Sequence, residues 1–363
     1  MSKVHHILIA CGGTGGHLFP GVAVAEALRG RGHEVALLIS EKKVDAEASA
    51  KYGTLRFHTL PAVAKPATFS PKMISFLWRL WGSLRRCRGI LRETGADAVL
   101  GMGGFTSLPP VYAAHRAGLR TFIHESNARP GRANVLTSRF CSKVFLGLSA
   151  AAAFFPGRAT QVTGTPVRGE ILRAPARDEA CARFGLDPSK PVLLVTGGSQ
   201  GARRLNAMAA EAAKSLAPTV QVLHIAGAAD AAGVTAAAAG NPGHVVLGFC
   251  DDMAAAYAAA DLVVARSGAS SLTEIAACGL PSVLVPYPFA ADDHQTRNAE
   301  VFRDAGAAVL APEAGLDAAS LAREVSSLLS DCPRLATMAA AARSLAVADA
   351  AQRVCDAIES SLN

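Results

Sequence analysis

The sequence predicts two α/β domains, each built on a parallel sheet with ligand-binding loops gathered at the strand ends. Three observations predict this. Short β-branched apolar runs alternate with helical, alanine-rich stretches; several of the runs end in glycine clusters; and the opening strand–glycine–helix pattern restarts at Val192. At 363 residues the chain exceeds one ordinary core, which favours two domains of roughly 150 residues or more each.

Val4 to Ala10 reads as the first strand, and the glycine turn Cys11-Gly12-Gly13-Thr14-Gly15-Gly16-His17 follows it. A helix through Ala23, Ala25, Ala27 and Leu28 closes at Gly30 to Gly32, before a strand over Glu34 to Ile39. The turn fails two specific tests for nucleotide binding. A phosphate-binding loop of the Walker type needs Lys-Ser/Thr after its last glycine, where His17-Leu18 stands. A dinucleotide fingerprint needs a third glycine where Leu18 stands, although Glu41 follows the second strand as an acidic residue would. Glycines nevertheless let the backbone approach a ligand closely. His17 stands at the mouth of this loop, near a helix N-terminus, where a neutral imidazole could take a proton; a purely structural histidine is the alternative.

Ser70 to Glu93 predicts a helix with two faces. Met73, Leu77, Leu80, Leu84, Cys87 and Leu91 form an ordinary core stripe. Ile74, Trp78 and Trp81 continue into Arg85 and Arg88, a sequence of aromatic and basic groups that suits an anionic membrane interface or, alternatively, packing on a neighbouring helix. Ala98 to Leu100 leads to a second glycine turn, Gly101 to Ser107, and Thr121 to Ile123 leads to His124-Glu125-Ser126-Asn127. Polar and glycine residues at successive strand ends point to one cleft. Gly164-Thr165-Pro166-Val167-Arg168 reads as a hinge, which sets the expected domains at residues 1–164 and 165–343.

In the second half, the strand Val192 to Thr196 is followed by the turn Gly197-Gly198-Ser199-Gln200-Gly201-Ala202 and a helix from Arg204. Val220 to Ile225, Val245 to Leu247 and Asp261 to Val264 are further strands. After the last of them Arg266-Ser267-Gly268 turns the chain, a helix runs from Ser270 to Gly279-Leu280-Pro281, and Ser282 to Val285 is the next strand. The N-terminus of such a helix attracts phosphate through its amides and dipole. Glu274 is placed to accept hydrogen bonds from a diol such as ribose, but Ser271-x-x-Glu274 also reads as a capping box. Asp292, Asp293, His294, Gln295, Arg297 and Asn298 form a polar loop that could read sugar hydroxyls or simply be solvated. The alanine-rich stretch Arg334 to Ile358 is helical by propensity.

Half of the residues are hydrophobic, as in a fully folded globular protein, and the net charge of +7 favours anionic partners. No Lys/Arg-rich block with interleaved aromatics is present, which argues against nucleic acid. Eight cysteines lack any CxxC or metal-ligand spacing and read as reduced, mostly buried thiols. Neither a signal peptide nor a bilayer-spanning segment is expected.

Taken together, Gly12-Gly13-Thr14-Gly15-Gly16-His17, Gly101-Met102-Gly103-Gly104, His124-Glu125-x-Asn127, Gly164-x-Pro166-Val167-Arg168, Gly197-Gly198-Ser199-Gln200-Gly201-Ala202, Arg266-Ser267-Gly268-Ala269 with Glu274, and Asp293-His294-Gln295 with Asn298-Ala299 resemble one family along nearly the whole chain. It is the bacterial peptidoglycan glycosyltransferases that move N-acetylglucosamine from UDP onto undecaprenyl-diphospho-muramoyl-pentapeptide. The resemblance implies the GT-B fold, two Rossmann-like domains facing across a cleft, with a last helix, about 344–363, packed back on the first domain. It implies a peripheral enzyme on the cytoplasmic face of the inner membrane, acting in cell-wall synthesis.

By the same resemblance the second domain holds UDP-N-acetylglucosamine. Arg168 and Ser199 lie near its diphosphate, the backbone of Cys250 on uracil, Ala269, Ser270, Ser271, Leu272 and Thr273 at the phosphates, Glu274 on ribose, and His294 and Gln295 on the sugar. Thr14, Gly15, Gly16 and Asn127 reach toward the sugar and acceptor from the first domain. The implied reaction is a direct displacement with inversion: His17 takes the proton of the muramoyl 4-hydroxyl, and helix N-termini and Arg168 stabilise departing UDP. No cofactor or metal is implied, since no Asp-x-Asp motif occurs where transferases of another fold would use one. Phe105-Thr106-Ser107-Leu108-Pro109 departs from the family's usual Tyr then Ser-Gly-Pro, and Ser126 and Ala128-Arg129-Pro130 depart around Asn127; both changes fall on the acceptor side. A UDP-sugar 2-epimerase or a glycolipid synthase is the nearest alternative, and an epimerase would leave the Trp78/Trp81 face without a purpose.

Overall fold

The computed structural model describes residues 3–41, 52–61, 72–198 and 202–362. The chain divides into two compact units. One contains the residues up to Arg168 together with those from Val347 onward, and the other is Gly169–Ala346. The sequence reading ends the first domain at residue 164; Thr165 to Arg168 also go with it.

The first unit holds a seven-stranded sheet in the order β3-β2-β1-β4-β5-β6-β7. Its strands are β1 (His6–Ala10), β2 (Glu34–Ser40), β3 (Arg56–Leu60), β4 (Ala98–Gly101), β5 (Arg120–Glu125), β6 (Lys143–Leu146) and β7 (Thr160–Val162). All pairings are parallel, with Ile7 opposite Val35 in β2 and Ile9 opposite Leu100 in β4. Successive side chains alternate between the sheet faces. Ile7 and Ile9 accordingly join a core with Leu18, Val22 and Leu28 of the helix Gly15–Gly30, whereas Leu8 and Ala10 meet Cys87, Ile90 and Leu91 of the helix Lys72–Thr94.

The second unit repeats the scheme with six parallel strands in the order β10-β9-β8-β11-β12-β13. These are β8 (Val192–Thr196), β9 (Gln221–Ile225), β10 (His244–Leu247), β11 (Leu262–Ala265), β12 (Ser282–Leu284) and β13 (Ala308–Leu310). Leu193, Val195, Val222, Leu262 and Val264 pack on the helices Arg203–Leu216 and Ala318–Leu329.

The alanine-rich C-terminal stretch is two helices, Cys332–Leu345 and Ala350–Leu362, instead of the single one its propensity predicts. The break is imposed by tertiary packing. Val347 lies in the gap, so close to Gly164 that a Cβ on that glycine (φ +76°) would sit 2.4 Å from the Val347 Cβ. Beyond the break, Val354, Cys355 and Ile358 enter the first unit's core. Asp356 and Glu359 accept hydrogen bonds from Arg31 at 2.6 and 2.9 Å, and His33 Nε2 lies 2.9 Å from Glu359.

Two buried histidines in the second unit stack with ring centroids 5.5 Å apart. His224 Nε2 is 3.1 Å from Asn206 Oδ1, and its Nδ1 is 3.3 Å from His244 Nε2. Burial, reinforced by the neighbouring ring, lowers the pKa of His224 to about 3, and burial lowers that of His244 as well. Because the folded pKa lies below the unfolded value of about 6.5, the unfolded chain binds more protons at mildly acid pH, and stability falls as pH drops below that value. Between pH 6.5 and 5 His224 costs up to about 2 kcal/mol, or roughly 4–8 °C of unfolding temperature, and His244 acts in the same direction. Thermal melts across this range should show the decline, and His224→Gln should flatten it.

Candidate active site

Both sheets reverse their strand order next to their first strand: between β1 and β4 in one, and between β8 and β11 in the other. Open parallel sheets bind ligands outside the carboxyl ends of their strands at such a switch point. The four glycine-bearing turns of the sequence follow these four strands.

In the first unit, Thr14 precedes the helix Gly15–Gly30 with extended backbone and no side-chain cap. Its Oγ1 instead lies 3.2 Å from Nδ1 of half-buried His17. The imidazole rests against the turn after β4. A Cβ on Gly103 would lie 3.0 Å from His17 Cδ2 and Nε2, and one on Gly104 would lie 3.0 Å from Cε1. Both glycines have positive φ, +113° and +72°, which further restricts the positions to glycine. The two turns are tied together by Thr106, whose Oγ1 donates to the Gly12 carbonyl at 2.6 Å. Ser107 Oγ donates to the Gly103 carbonyl at 2.8 Å. Thus Phe105-Thr106-Ser107, which departs from the family pattern, supplies two hydrogen bonds that hold the turn's shape.

At the end of β5, Glu125 is buried and accepts four hydrogen bonds. Asn127 gives two, from its backbone N–H at 2.9 Å and its side chain at 2.8 Å; Asn134 gives one at 2.8 Å, and the Gly131 N–H one at 3.2 Å. Burial pushes this carboxyl above the usual range, and the same four donors oppose that shift. Asn134 also accepts the Gly104 N–H at 3.2 Å, so it connects the Glu125 cluster to the turn under His17. Sequence reading missed Asn134, which sits on the short helix Arg132–Thr137 without any local signal of its role. His124 is fully buried, with Nε2 donating to the Gly164 carbonyl at 2.9 Å and Nδ1 accepting from Ser126 Oγ at 3.2 Å. Burial lowers its pKa to about 4, so it stays neutral. Arg168 is buried too, its guanidinium 4.3 Å from the ring centre of Phe19 on the first helix.

In the second unit, β11 ends in Arg266-Ser267-Gly268, and the helix Ala269–Cys278 begins one residue earlier than the sequence suggests. Gly268 is its N-cap, so Ser271 lies inside the first turn and cannot form a capping box with Glu274. Glu274 is buried, and its Oε2 accepts a hydrogen bond from Tyr257 at 3.1 Å. Ala269, Ser270 and Ser271 open the helix, where α-helical amides lack intrahelical acceptors, whereas the Leu272 N–H already donates to the Gly268 carbonyl at 3.0 Å and Thr273 follows one residue further in. Cys250 is buried at the head of the segment that leads into the helix Met253–Ala259. Ser199 lies outside the described residues.

Arg266, 7% exposed, donates to the carbonyls of Val285 and Pro286, each at 3.1 Å, and to Glu313 at 2.5 Å. It therefore fixes the end of β11 to the segment that follows β12. In that segment Gln295 Oε1 accepts the Tyr287 N–H at 2.9 Å, and His294 Nδ1 donates to the Ala291 carbonyl at 2.7 Å. Asp292 and Asp293 have φ of +52° and +56°, a left-handed conformation that is uncommon for residues other than glycine. Asn298 is fully buried and donates to the Ser267 carbonyl at 3.1 Å, closing the same corner.

Comparison with known proteins agrees with this layout. Residues 7–146 match the N-terminal domain of glycosyltransferase family 28, and residues 192–354 match its C-terminal domain. A UDP-N-acetylglucosamine–N-acetylmuramyl-(pentapeptide) pyrophosphoryl-undecaprenol N-acetylglucosamine transferase of Citrifermentans bemidjiense is 40% identical, over 98% of this chain and 99% of the relative. A relative of the same description from Acidothermus cellulolyticus is also 40% identical, over 98% and 97%. The crystal structure of MurG from Acinetobacter baumannii superposes with a TM-score of 0.76 at 28% identity, covering 99% of this chain and 100% of the other. With near-full-length relatives at this identity and two parallel-sheet domains of the GT-B kind, the chain belongs to glycosyltransferase family 28.

Proposed function

We propose that the chain is an inverting N-acetylglucosaminyltransferase. It moves N-acetylglucosamine from UDP to the 4-hydroxyl of the muramoyl sugar of undecaprenyl-diphospho-muramoyl-pentapeptide. The observation that carries the reading is the second switch point, where an uncapped helix N-terminus stands beside a buried carboxylate on the same helix, alongside near-full-length similarity to transferases of that description. Phosphate oxygens suit the first-turn amides of residues 269–271, with Leu272 and Thr273 next along the same helix, and a ribose diol suits Glu274. Gln295 and His294 meet the sugar, the backbone of Cys250 meets uracil, and Arg168 is assigned to the diphosphate.

The chemistry asks for a base on the acceptor and charge stabilisation on the leaving group. His17 is the base. For Nε2 to accept the hydroxyl proton, Nδ1 must carry hydrogen, and Thr14 Oγ1 at 3.2 Å is positioned to accept that hydrogen and hold the tautomer. Gly103 lets the ring lie against the turn, since a Cβ there would come within 3.0 Å of Nε2. Gly15, Gly16 and Asn127 line the acceptor side. As the anomeric bond breaks, negative charge grows on UDP, and the amides of the helix Ala269–Cys278 stabilise it together with Arg168.

Membrane contact falls to the helix Lys72–Thr94. Trp78 is 71% exposed and Trp81 53% exposed, their rings edge-to-face at 6.0 Å, and the Arg85 guanidinium lies 5.0 Å from the Trp81 ring centre. Arg88 is exposed farther along, and Ile74 precedes the pair in sequence. Exposed indoles beside arginines fit the interface of an anionic bilayer, at which a peripheral enzyme would meet a lipid-linked acceptor. Among the described residues no helix is long and apolar enough to cross a membrane.

Three measurements check these assignments. Radiolabel from UDP-N-acetylglucosamine should enter lipid only when the lipid-linked muramoyl acceptor is present; release of free sugar or its 2-epimer in place of transfer would overturn the reaction. Replacing His17 with alanine should cut turnover by about two orders of magnitude or more, whereas near-normal turnover would remove it as the base. Trp78→Ala with Trp81→Ala should weaken sedimentation with phosphatidylglycerol vesicles by about tenfold while sparing UDP binding.

A further inference from the structure

Glu313 stands on the segment that follows β13. There the Ala311 N–H extends the pairing with β12 by donating to the Leu284 carbonyl at 2.9 Å, and the Leu316 N–H closes a turn on the Glu313 carbonyl at 3.4 Å. A carboxylate is seldom buried unless cations meet it. This residue is 6% exposed, and its two oxygens face two arginines. Oε2 takes the buried guanidinium of Arg266 at 2.5 Å, and Oε1 lies 3.6 Å from Nε of Arg204, whose side chain is exposed. Arg266 follows β11 and precedes the helix Ala269–Cys278, whereas Arg204 opens the helix Arg203–Leu216 that follows β8. Through Arg266 the carboxylate also governs the end of β12, because the same guanidinium holds the Val285 and Pro286 carbonyls and lies 5.6 Å from the ring centre of Tyr287. Tyr287 in turn gives its N–H to Gln295. One side chain thus ties together the segments that leave β8, β11, β12 and β13.

We propose that Glu313 is a positioning residue for the sugar nucleotide: without touching the ligand, it sets the affinity for diphosphate and sugar by holding the helix start at Ala269 and the segment at Tyr287 in one arrangement. This rests on the reading that the second unit holds UDP-N-acetylglucosamine. Without Glu313, Arg266 would be a buried guanidinium with two carbonyls and no counter-charge, and the segments it joins would rearrange to hydrate it. The first-turn amides offered to phosphate and the Gln295 side chain assigned to the sugar would shift with them. The Arg204 arm is exposed and contributes less. The acceptor side, assigned to the first unit, does not depend on this carboxylate.

The test is steady-state transfer with UDP-N-acetylglucosamine and the lipid-linked muramoyl acceptor varied in turn, together with calorimetric binding of UDP. Both are applied to the full chain, Glu313→Gln, Arg204→Gln and the double variant. Glu313→Gln should raise the donor KM and the UDP Kd by about tenfold and leave the acceptor KM unchanged. Arg204→Gln should raise the donor KM by about two- to threefold, and adding it to Glu313→Gln should change nothing further, because both act through one carboxylate. A smaller folded fraction lowers kcat and the binding stoichiometry but moves neither KM nor Kd, so a loss of that kind alone overturns the positioning role. An equal rise in both KM values overturns it as well. An Arg204→Gln protein with an unchanged donor KM does the same, and this exposed substitution remains decisive should Glu313→Gln fail to fold. A full chain that neither binds UDP nor uses UDP-N-acetylglucosamine removes the functional reading itself, and the inference falls with it.

Discussion

Parallel pairing is the constraint from which the rest of this molecule follows. Every strand pair described in the two sheets is parallel, so each strand must be followed by a crossover before the next can pair. Crossovers bring every strand's C-terminal turn to the same edge of its sheet. Residues far apart in sequence, such as Thr14, Gly103 and Asn134, thereby meet within one cluster. The reversal of strand order beside β1 and beside β8 sends the adjacent crossovers to opposite faces and leaves a crevice between them. Glycine is needed where one turn approaches the next, as at Gly12, where a Cβ would lie 2.3 Å from the Ser40 backbone nitrogen.

Buried charges then fix the loops that the sheets deliver. Glu125 gathers donors from residues 127, 131 and 134, and Arg266 with Glu313 clamps the segments that follow β11 and β12. Such groups are poor sources of stability, because desolvation offsets most of their attraction. Their value is directional. A carboxylate with four donors, or a guanidinium bound to two carbonyls and a carboxylate, admits one arrangement of the surrounding backbone, which apolar packing would leave less determined. That each cluster borders a turn assigned to ligand explains why this expense falls at the carboxyl edges.

The repeated strand–glycine–helix pattern was legible because both periods are strong in the sequence and the turns are rich in glycine. Val192 to Thr196 was placed to the residue, and most other interior strands to within one or two. Edge strands β3, β7 and β13 were not recognised. With a neighbour on one side only, they bury fewer side chains, and Arg56–Leu60 or Thr160–Val162 carry little apolar signal. Strand β6, Lys143–Leu146, was also not recognised: it is four residues long and, unlike the equally short β4 and β11, is not followed by a glycine turn and helix of the repeated pattern. The break at residues 346–349 was hidden because alanine favours helix on both sides and the interruption comes from Gly164, distant in sequence. In the site, glycine turns and strand-end polar residues were visible, whereas Asn134, Tyr257 and Glu313 act through partners that no local pattern reveals.

Side-chain capping is uneven among the described helices, and the uncapped starts include those at the switch points. Asp252, Asp317 and Asp331 cap their helices with side-chain oxygens, each contributing on the order of 1 kcal/mol. At the two switch points the cap is missing: Thr14 turns its hydroxyl to His17, and Gly268 has no side chain to offer. A side-chain cap and a phosphate compete for the same first-turn amides, so a helix that caps itself well is a poor anion site. The Ser271-x-x-Glu274 pattern was ambiguous for this reason, since a ligand-binding helix start and a capped one use the same residue types. The ambiguity ends once the first helical residue is Ala269, because Glu274 then lies a full turn beyond any capping position and answers to Tyr257 instead.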